Sequence, residues 1–458
     1  MAAVGTFYGI NIANTGLDAA SVGEEVVGNN ISNAATTGYS DESVNLVEGD
    51  PVAEPYGSFG SGVNASSIQR ASDQYLLAQS RTATSSQSDL SAQSTWLTNI
   101  QDVFNEPSTD GINTQLQTFF DNFQTLETDA GNTGALTTAV GGGETLAQMF
   151  NTASSSLSTI SGQISTQMSN DETSINSDGQ QIASLNKQIQ LLTAQGQSPN
   201  TLLDQRDNII NNLSSLVNVN VVSNADGTVN VNIGSTSLVS GDSNSAVTIA
   251  AMQAKGDITS GEVAGLQTAQ TSLSGYNTDL NNLASQVITQ VNALSESGTS
   301  ADGTTGTAFF TGADASNIAV NPTLVSDPSK LPVAGATTPA GTPPAASDAT
   351  TATAIAKLAT TTLGTSAGAL SGQTFEGYFN TTVTGLASQL STVSSNLTTA
   401  QATTTQLNNQ LSQETGVNED DELTKMMEYQ RMYQASAQMI STQNTMLGYL
   451  MSMIPAGQ

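Results

Sequence analysis

The 458-residue chain contains no cysteine and no histidine. The first absence removes disulfides, thiolate metal sites and cysteine nucleophiles. The second removes the Ser-His-Asp triad and zinc sites built on paired histidines. Cations are scarce: nine Lys and Arg stand against 39 Asp and Glu, a net charge of −30. Nine basic residues spread over this length form no patch to neutralise phosphates, so neither nucleic acid nor an anionic membrane surface is an expected partner. No run approaches the roughly 18 apolar residues of a membrane span. The first 20 residues lack the basic start and continuous apolar core of a cleaved secretory signal. Charged residues make up only 10% of the chain. The surface must therefore be built mainly from Ser, Thr, Asn, Gln and Ala.

What is present is helical periodicity, strongest at the two ends. Ile10, Ala13, Leu17, Ala20, Val27, Ile31 and Ala34 step by three and four, with Glu24 filling the gap. That is a heptad seam, expected to stop near Thr37-Gly38. Val44, Leu46 and Val52 suggest a short strand among Gly- and Pro-rich loops. Helix is expected from about Ile68 to Phe104 and again from Asn113 to Leu126. Gly141-Gly142-Gly143 reads as a break. Beyond it Met168, Ile175, Ile182 and Ile189 recur every seven residues, and another helix covers about Thr201 to Leu216.

The period then switches to two. Val217, Val219 and Val221, then Val229, Val231 and Ile233, flank Asn224-Ala225-Asp226-Gly227, a hairpin signature. Leu238-Val239 and Val247 to Ala250 read as further strands. Helix returns from Val263 to Leu294. Residues 298–350 are rich in Gly, Thr, Pro and Ala and are expected to be loops with little apolar surface for firm folding. A long seam runs from Val383 to Leu411. After Gly416 a second follows: Leu423, Met426, Gln430, Tyr433, Ala437, Ile440, Asn444, Leu447, Met451 and Ile454.

The pattern predicts a mainly α fold with a smaller β-containing part: a long helical bundle or coiled coil built from both chain ends, with an inserted β-rich outer domain. Three parts are expected. Residues 1–40 with 417–458 form the terminal helical coiled coil. Residues 41–216 with 260–297 and 355–416 form a helical bundle. Residues 217–259 and 298–354 form the β-rich outer part. The N-terminal seam is mostly small residues whose burial yields little, so the ends need each other, or neighbouring subunits, to be ordered.

Chemistry has little to work with. Glu24-Glu25 and Asp420-Asp421-Glu422 fall on helix surfaces or near a helix start, where acids favour the dipole. Asn224-x-Asp226-Gly227 lacks the further ligands of a calcium loop, and the Gly141–Gly143 run has no following Lys-Ser/Thr. No catalytic, cofactor-binding or metal-binding residue is assigned, and no cofactor is expected.

Gly28-Asn29-Asn30-Ile31-Ser32-Asn33-Ala34-Ala35-Thr36-Thr37-Gly38-Tyr39-Ser40 resembles the N-terminal motif of bacterial flagellar rod, hook and hook-associated proteins, N-N-I-A-N-x-x-T-P-G-Y. Ser32 replaces the usual Ala and Thr37 the usual Pro. The motif residues carried over are Asn30, Ile31, Asn33, Gly38 and Tyr39. Tyr429-Gln430-Arg431-Met432-Tyr433-Gln434-Ala435-Ser436-Ala437 resembles the companion C-terminal motif Y-Q-x-x-Y-Q-A-S-A, and 416–422 also fits. The ends are shared across the family. The middle, Leu202-Leu203-Asp204-Gln205-Arg206-Asp207 with Gly261-Glu262-Val263-Ala264-Gly265-Leu266, resembles the hook-associated protein 1 branch. One departure stands out: Asp41 occupies a place where the family commonly has a basic residue.

The resemblance implies a non-enzymatic, extracellular structural subunit at the junction of hook and filament. It implies export through the flagellar type III channel without cleavage, and self-association in a helical ring. The implied neighbours are hook protein and hook-associated protein 3. The terminal seams (Ile10, Leu17, Val27, Ile31, Leu423, Met426, Tyr433, Ile440, Leu447) would build the inner tube. An export chaperone would hold the last helix before export, with Met427, Ile440 and Leu447 as helix-in-groove anchors. The alternatives are another axial protein (hook-associated protein 3 or hook protein), a secreted adhesin or effector with coiled-coil ends, and an exported hydrolase using paired carboxylates.

Overall fold

The computed structural model describes residues 7–54, 57–104, 111–337 and 341–452. Ile454, the last member of the C-terminal seam, lies outside them. Helix α1 (Tyr8–Asn33) opens the fold. Gly38 follows with φ +78, a conformation glycine adopts without strain, and turns the chain into strand β1 (Glu42–Glu48). Strands β2 (Val52–Glu54) and β3 (Gly57–Phe59) pair with each other, and β4 (Val63–Arg70) returns antiparallel along β1. That pairing sets Glu42 opposite Arg70 and Val44 opposite Ile68. Ile68 is therefore a strand residue and not the start of a helix. Its partner strand is distant in sequence, so periodicity does not reveal it. Helix α2 (Gln74–Phe104) starts later, where the Asp73 carboxylate accepts from the amides of Tyr75 and Leu76.

After α3 (Ile112–Thr128), helix α4 (Thr133–Ala194) runs unbroken through Gly141–Gly143. The expected break is absent because Gly143 serves packing: a Cβ there would lie 2.5 Å from Phe309 Cε1. Helix α5 (Asn200–Leu216) leads to an antiparallel meander of β5 (Asn220–Ser223), β6 (Val229–Ile233), β7 (Thr236–Ser240) and β8 (Ser243–Asn244). The first hairpin turns at Gly227, φ +84, as its sequence dictates. Val247 to Ala250 does not extend the sheet. Thr248 Oγ1 accepts from the Ala251 amide and caps helix α6 (Ile249–Lys255).

Next come α7 (Glu262–Ser297), the short pair β9 (Phe310–Thr311) and β10 (Ala319–Val320), α8 (Pro322–Ser326), α9 (Thr350–Lys357), α10 (Phe375–Thr415) and α11 (Glu419–Ser452). The fold is 67% helical with a small sheet-containing part, so it is mainly α, as expected.

Two compact units divide the chain. One comprises Met1–Gln87, Asp171–Gly261 and Ala400–Gln458; the other comprises Ser88–Asn170 and Glu262–Thr399. This division cuts across the three parts expected from sequence: 217–259 falls in the first unit and 298–354 in the second.

The second unit is held by phenylalanine. Nine of the eleven in the chain sit in its core. Phe309 packs edge-on against Phe119 and Phe123 with ring centroids 5.5 Å apart in each case, and against Phe310 at 4.7 Å. Asn292 pins this segment by accepting from the amides of Phe309 and Phe310 and donating to the Phe310 carbonyl. The described residues of 298–350 are thus better anchored than their composition suggests, since Phe309, Phe310, Ile318, Leu324 and Leu331 are all fully buried. Each such side chain contributes about 1.5–3 kcal/mol.

In the first unit, Val229, Val231 and Ile233 turn inward from β6, and Ile175, Ile182 and Ile189 are buried along α4. Gly179 allows Leu238 to approach α4; a Cβ there would lie 2.9 Å from Leu238 Cδ1. Buried Asn186 stitches helix to sheet. It donates to the carbonyls of Val229 and Gly241 and accepts from the Val229 amide and the Arg206 guanidinium.

Candidate functional site

Helices α1 and α11 pack antiparallel within the first unit, and they meet through small residues. Gly9, Gly16 and Gly23 recur every seven residues on α1. Opposite them stand Gln443, Ser436 and Tyr429, which descend by the same step on α11. A Cβ at Gly23 would overlap the Tyr429 ring, and one at Gly16 would lie 2.8 Å from Ser436 Oγ. Ala13, Ala19 and Ala20 are buried in the same face, with Val26 and Val27 closer to its C-terminal end. Each Ala contributes little area, but a glycine and alanine face lets two backbones come close and adds dispersion contact along the whole length.

The next heptad step on α1 is Asn30, fully buried, and it faces Glu422, which is 1% exposed. Asn30 Nδ2 donates to Glu422 Oε2 at 2.9 Å, to Asp41 Oδ1 at 2.7 Å and to the Glu42 carbonyl at 2.8 Å. Its Oδ1 accepts from the Tyr39 hydroxyl at 2.8 Å and the Glu42 amide at 3.1 Å. Lys425 Nζ closes the hub, 2.5 Å from Glu422 Oε1 and 3.6 Å from Asp41 Oδ2. Burial, then the charges of Glu42, Asp204 and Asp41, raise the Tyr39 pKa and keep its hydroxyl a donor. The Asp41 amide donates to the Thr415 carbonyl, so the end of α10 is tied in as well.

A second polar cluster adjoins the hub. Ser40 donates through its amide and its hydroxyl to Asp204. Arg70 Nη1 lies 2.7 Å from Asp204 Oδ1, and Nη2 lies 2.5 Å from Asp207 Oδ2. Arg81 adds a 3.0 Å bridge to Asp207 and donates to Asn211. Burial pulls the Arg206 guanidinium down to about 10. Three of the four arginines in this acidic chain are thus interior, holding loops and helices together. The cavity beside Ser40, Arg70 and Asp207 measures about 90 Å³, room for a few waters. No group of three or more Asp or Glu residues is placed to hold a metal ion among the described residues. No described helix is long and apolar enough to cross a membrane.

The sequence-identified residues separate into three sets. Asn30, Tyr39, Val27 and Tyr429 sit at the helix pair or its hub, while Gly38 lies against Asn208 of α5. Ile31, Asn33, Ile10, Leu17, Met426, Ile440 and Leu447 are half-buried, and Asn33 bonds only locally, to Asn29 and Thr36. Leu423, Met427, Gln430, Tyr433 and Ala435 are exposed. The face of α11 that meets α1 runs through Glu422, Tyr429, Ser436 and Gln443, one position away from the apolar seam read in the sequence. Glu422, Lys425, Arg70 and the three stripe glycines were missed as site residues. The seven-residue spacing of the glycines was the available signal.

Asp41 takes a defined place despite departing from the family pattern, because the positive charge comes from α11 as Lys425. Burial is the main cause that raises the Asp41 pKa; Lys425 opposes it and Glu422 reinforces it. A carboxyl raised in the folded state favours folding below its unfolded value near 4, and that contribution is lost as pH rises through the folded value. Asp41→Asn should therefore gain on the parent between pH 4 and 7, by about 1 kcal/mol or less after solvent screening. Thermal melts across that range check it; a gap that widens toward pH 4 contradicts it.

Residues 97–310 match the family model described as the flagellar hook-associated protein FlgK helical domain. Residues 411–453 match the flagellar basal body rod FlgEFG protein C-terminal model. Flagellar hook-associated protein 1 of Escherichia coli (strain K12) is 29% identical over 212 residues, 46% of this chain and 39% of that protein. Its counterpart in Bacillus subtilis (strain 168) is 26% identical over 221 residues, 47% and 44%. The matched stretch thus spans less than half the length of these relatives. The solved flagellar hook junction protein FlgK from Burkholderia pseudomallei shares the fold, with a TM-score of 0.61 at 18% identity, over 72% of this chain and 99% of that one. The chain is thus similar to the flagellar hook-associated protein FlgK over residues 97–310, and to flagellar rod proteins at its C-terminal end, 411–453.

Proposed function

We propose that the chain is a structural subunit of the bacterial flagellum that forms the layer between hook and filament. The observation that carries this reading is the convergence of both end motifs on one hub. Asn30 and Tyr39 from one end meet Glu422 and Lys425 from the other. Away from α1, helix α11 exposes Leu423, Met427, Tyr433, Met439, Met446 and Tyr449. Such a run of exposed apolar side chains on one helix suits contact with neighbouring copies. In this reading the paired ends form the inner tube of a helical ring. Hook protein lies on one side, and hook-associated protein 3 lies on the other. The subunit reaches its extracellular place through the type III export channel, and it performs no catalysis.

Export supplies a second use for α11. Ile440 and Leu447 are half-buried in the folded chain, whereas Met427 is open. A chaperone using all three would take the helix before it pairs with α1. A strain lacking the protein tests the whole reading. It should build hooks, carry no filaments and shed flagellin into the medium. A strain without hooks would instead place the chain earlier in the axis, as hook protein.

A further inference from the structure

We propose that Asn30 and Glu422 are a register lock, selecting one of several seven-residue alignments that the glycine face of α1 would otherwise accept. The inference concerns the single subunit and does not depend on the flagellar reading. Gly9, Gly16 and Gly23 face Gln443, Ser436 and Tyr429, and both columns repeat every seven residues. A slip by one heptad, about 10 Å along the helix, leaves the pattern nearly unchanged. In one direction Gly16 would face Gln443 and Gly23 would face Ser436. In the other, Gly9 would face Ser436 and Gly16 would face Tyr429. Glycine carries no side chain to tell these partners apart.

The fourth layer breaks the degeneracy. Asn30 and Glu422 are both buried and bonded to each other. A slip in the first direction sets Asn30 against Tyr429 and takes Glu422 away from its amide donor. The opposite slip sets Glu422 against Gly23, in the small apolar face. Either removes the Asn30 amide from the buried Glu422 carboxylate, which then keeps only Lys425 of its own helix. A single polar layer in an otherwise permissive seam is a known way to fix helix register. Three other features oppose a slip: the short link at 416–418, the bond from the Asp41 amide to Thr415 and, in the first direction only, the Tyr429 ring, which has room opposite it for glycine alone. The experiment must separate them from the polar layer.

The chain has no cysteine, so introduced pairs report cleanly. A Cβ at Gly16 lies 3.8 Å from Ser436 Cβ, the usual spacing across a disulfide. Gly16→Cys with Ser436→Cys therefore marks the observed register. Gly9→Cys with Ser436→Cys marks one slip, and Gly16→Cys with Gln443→Cys marks the other. Each pair is placed in the full chain and oxidised at low concentration, and the intrachain product is quantified. In the parent only the first pair should close. Asn30→Leu should raise an off-register product at least about tenfold. Should Asn30→Leu fail to fold, Asn30→Leu with Glu422→Met supplies an apolar layer that needs no ion pair, which commonly preserves stability. In that variant the off-register products should rise while helix content is kept. If the folded variants close only the first pair, the polar layer does not set the register and the proposal is overturned.

Discussion

Arg70→Met is expected to cost the first unit about 3–5 kcal/mol, the usual loss when one partner of a buried ion pair is removed. Arg70 is 10% exposed at its side chain and forks onto Asp204 and Asp207. Without it Asp204 keeps only Ser40 among its partners here, and Asp207 keeps only Arg81. Asp204 would then be a buried carboxylate with no guanidinium, and half-buried Asp207 would rest on Arg81 alone. The melting temperature of the full chain should fall by about 10 °C. Arg70→Lys should recover part of the loss, since an ammonium restores the charge without the fork. A loss under about 1 kcal/mol would mean that the cluster is screened as a surface pair is.

Gly23→Val should open the helix pair. The position has no room even for a methyl group, because a Cβ already meets the Tyr429 ring. Overpacking of this kind costs about 1–3 kcal/mol. The ring cannot swing far while Asn30 and Glu422 hold the next layer. Amide exchange along 8–33 and 419–452 should quicken while the phenylalanine core of the second unit keeps its protection. Tyr429→Ala in the same chain should return most of the lost stability, because the two changes trade volume at one contact. Equal exchange in parent and variant would show that the helices do not approach as described.

How much of this was written in the sequence depends on the range of the interaction. Local signals were sufficient for α5, the Gly227 hairpin, α7, α10 and α11. Each rests on a period or a turn residue within a few positions. Long-range packing was not legible. Gly143 looked like a breaker, but it makes room for a phenylalanine more than 160 residues later. Ile68 looked helical because its strand partner β1 lies upstream. Residues 298–350 looked loose because composition does not disclose that Phe309 and Phe310 enter an aromatic core.

The site was half visible. The motifs named Asn30 and Tyr39, and the structure gives them a common purpose. The C-terminal seam was read from a ten-residue column starting at Leu423, of which Leu423 and Tyr433 stay exposed. Burial followed the glycines instead, because a face without side chains lets the helices approach most closely. Of the apolar column one step around α11, Leu423 and Tyr433 were left facing outward and Met426, Ile440 and Leu447 half-buried.

The most direct measurement compares filaments per hook in a strain lacking the protein, supplied with either the full chain or a chain without residues 8–33 and 419–452. The full chain should restore filaments. The shortened chain should leave bare hooks and free flagellin. Filaments restored by the shortened chain would contradict the claim that the paired ends build the junction.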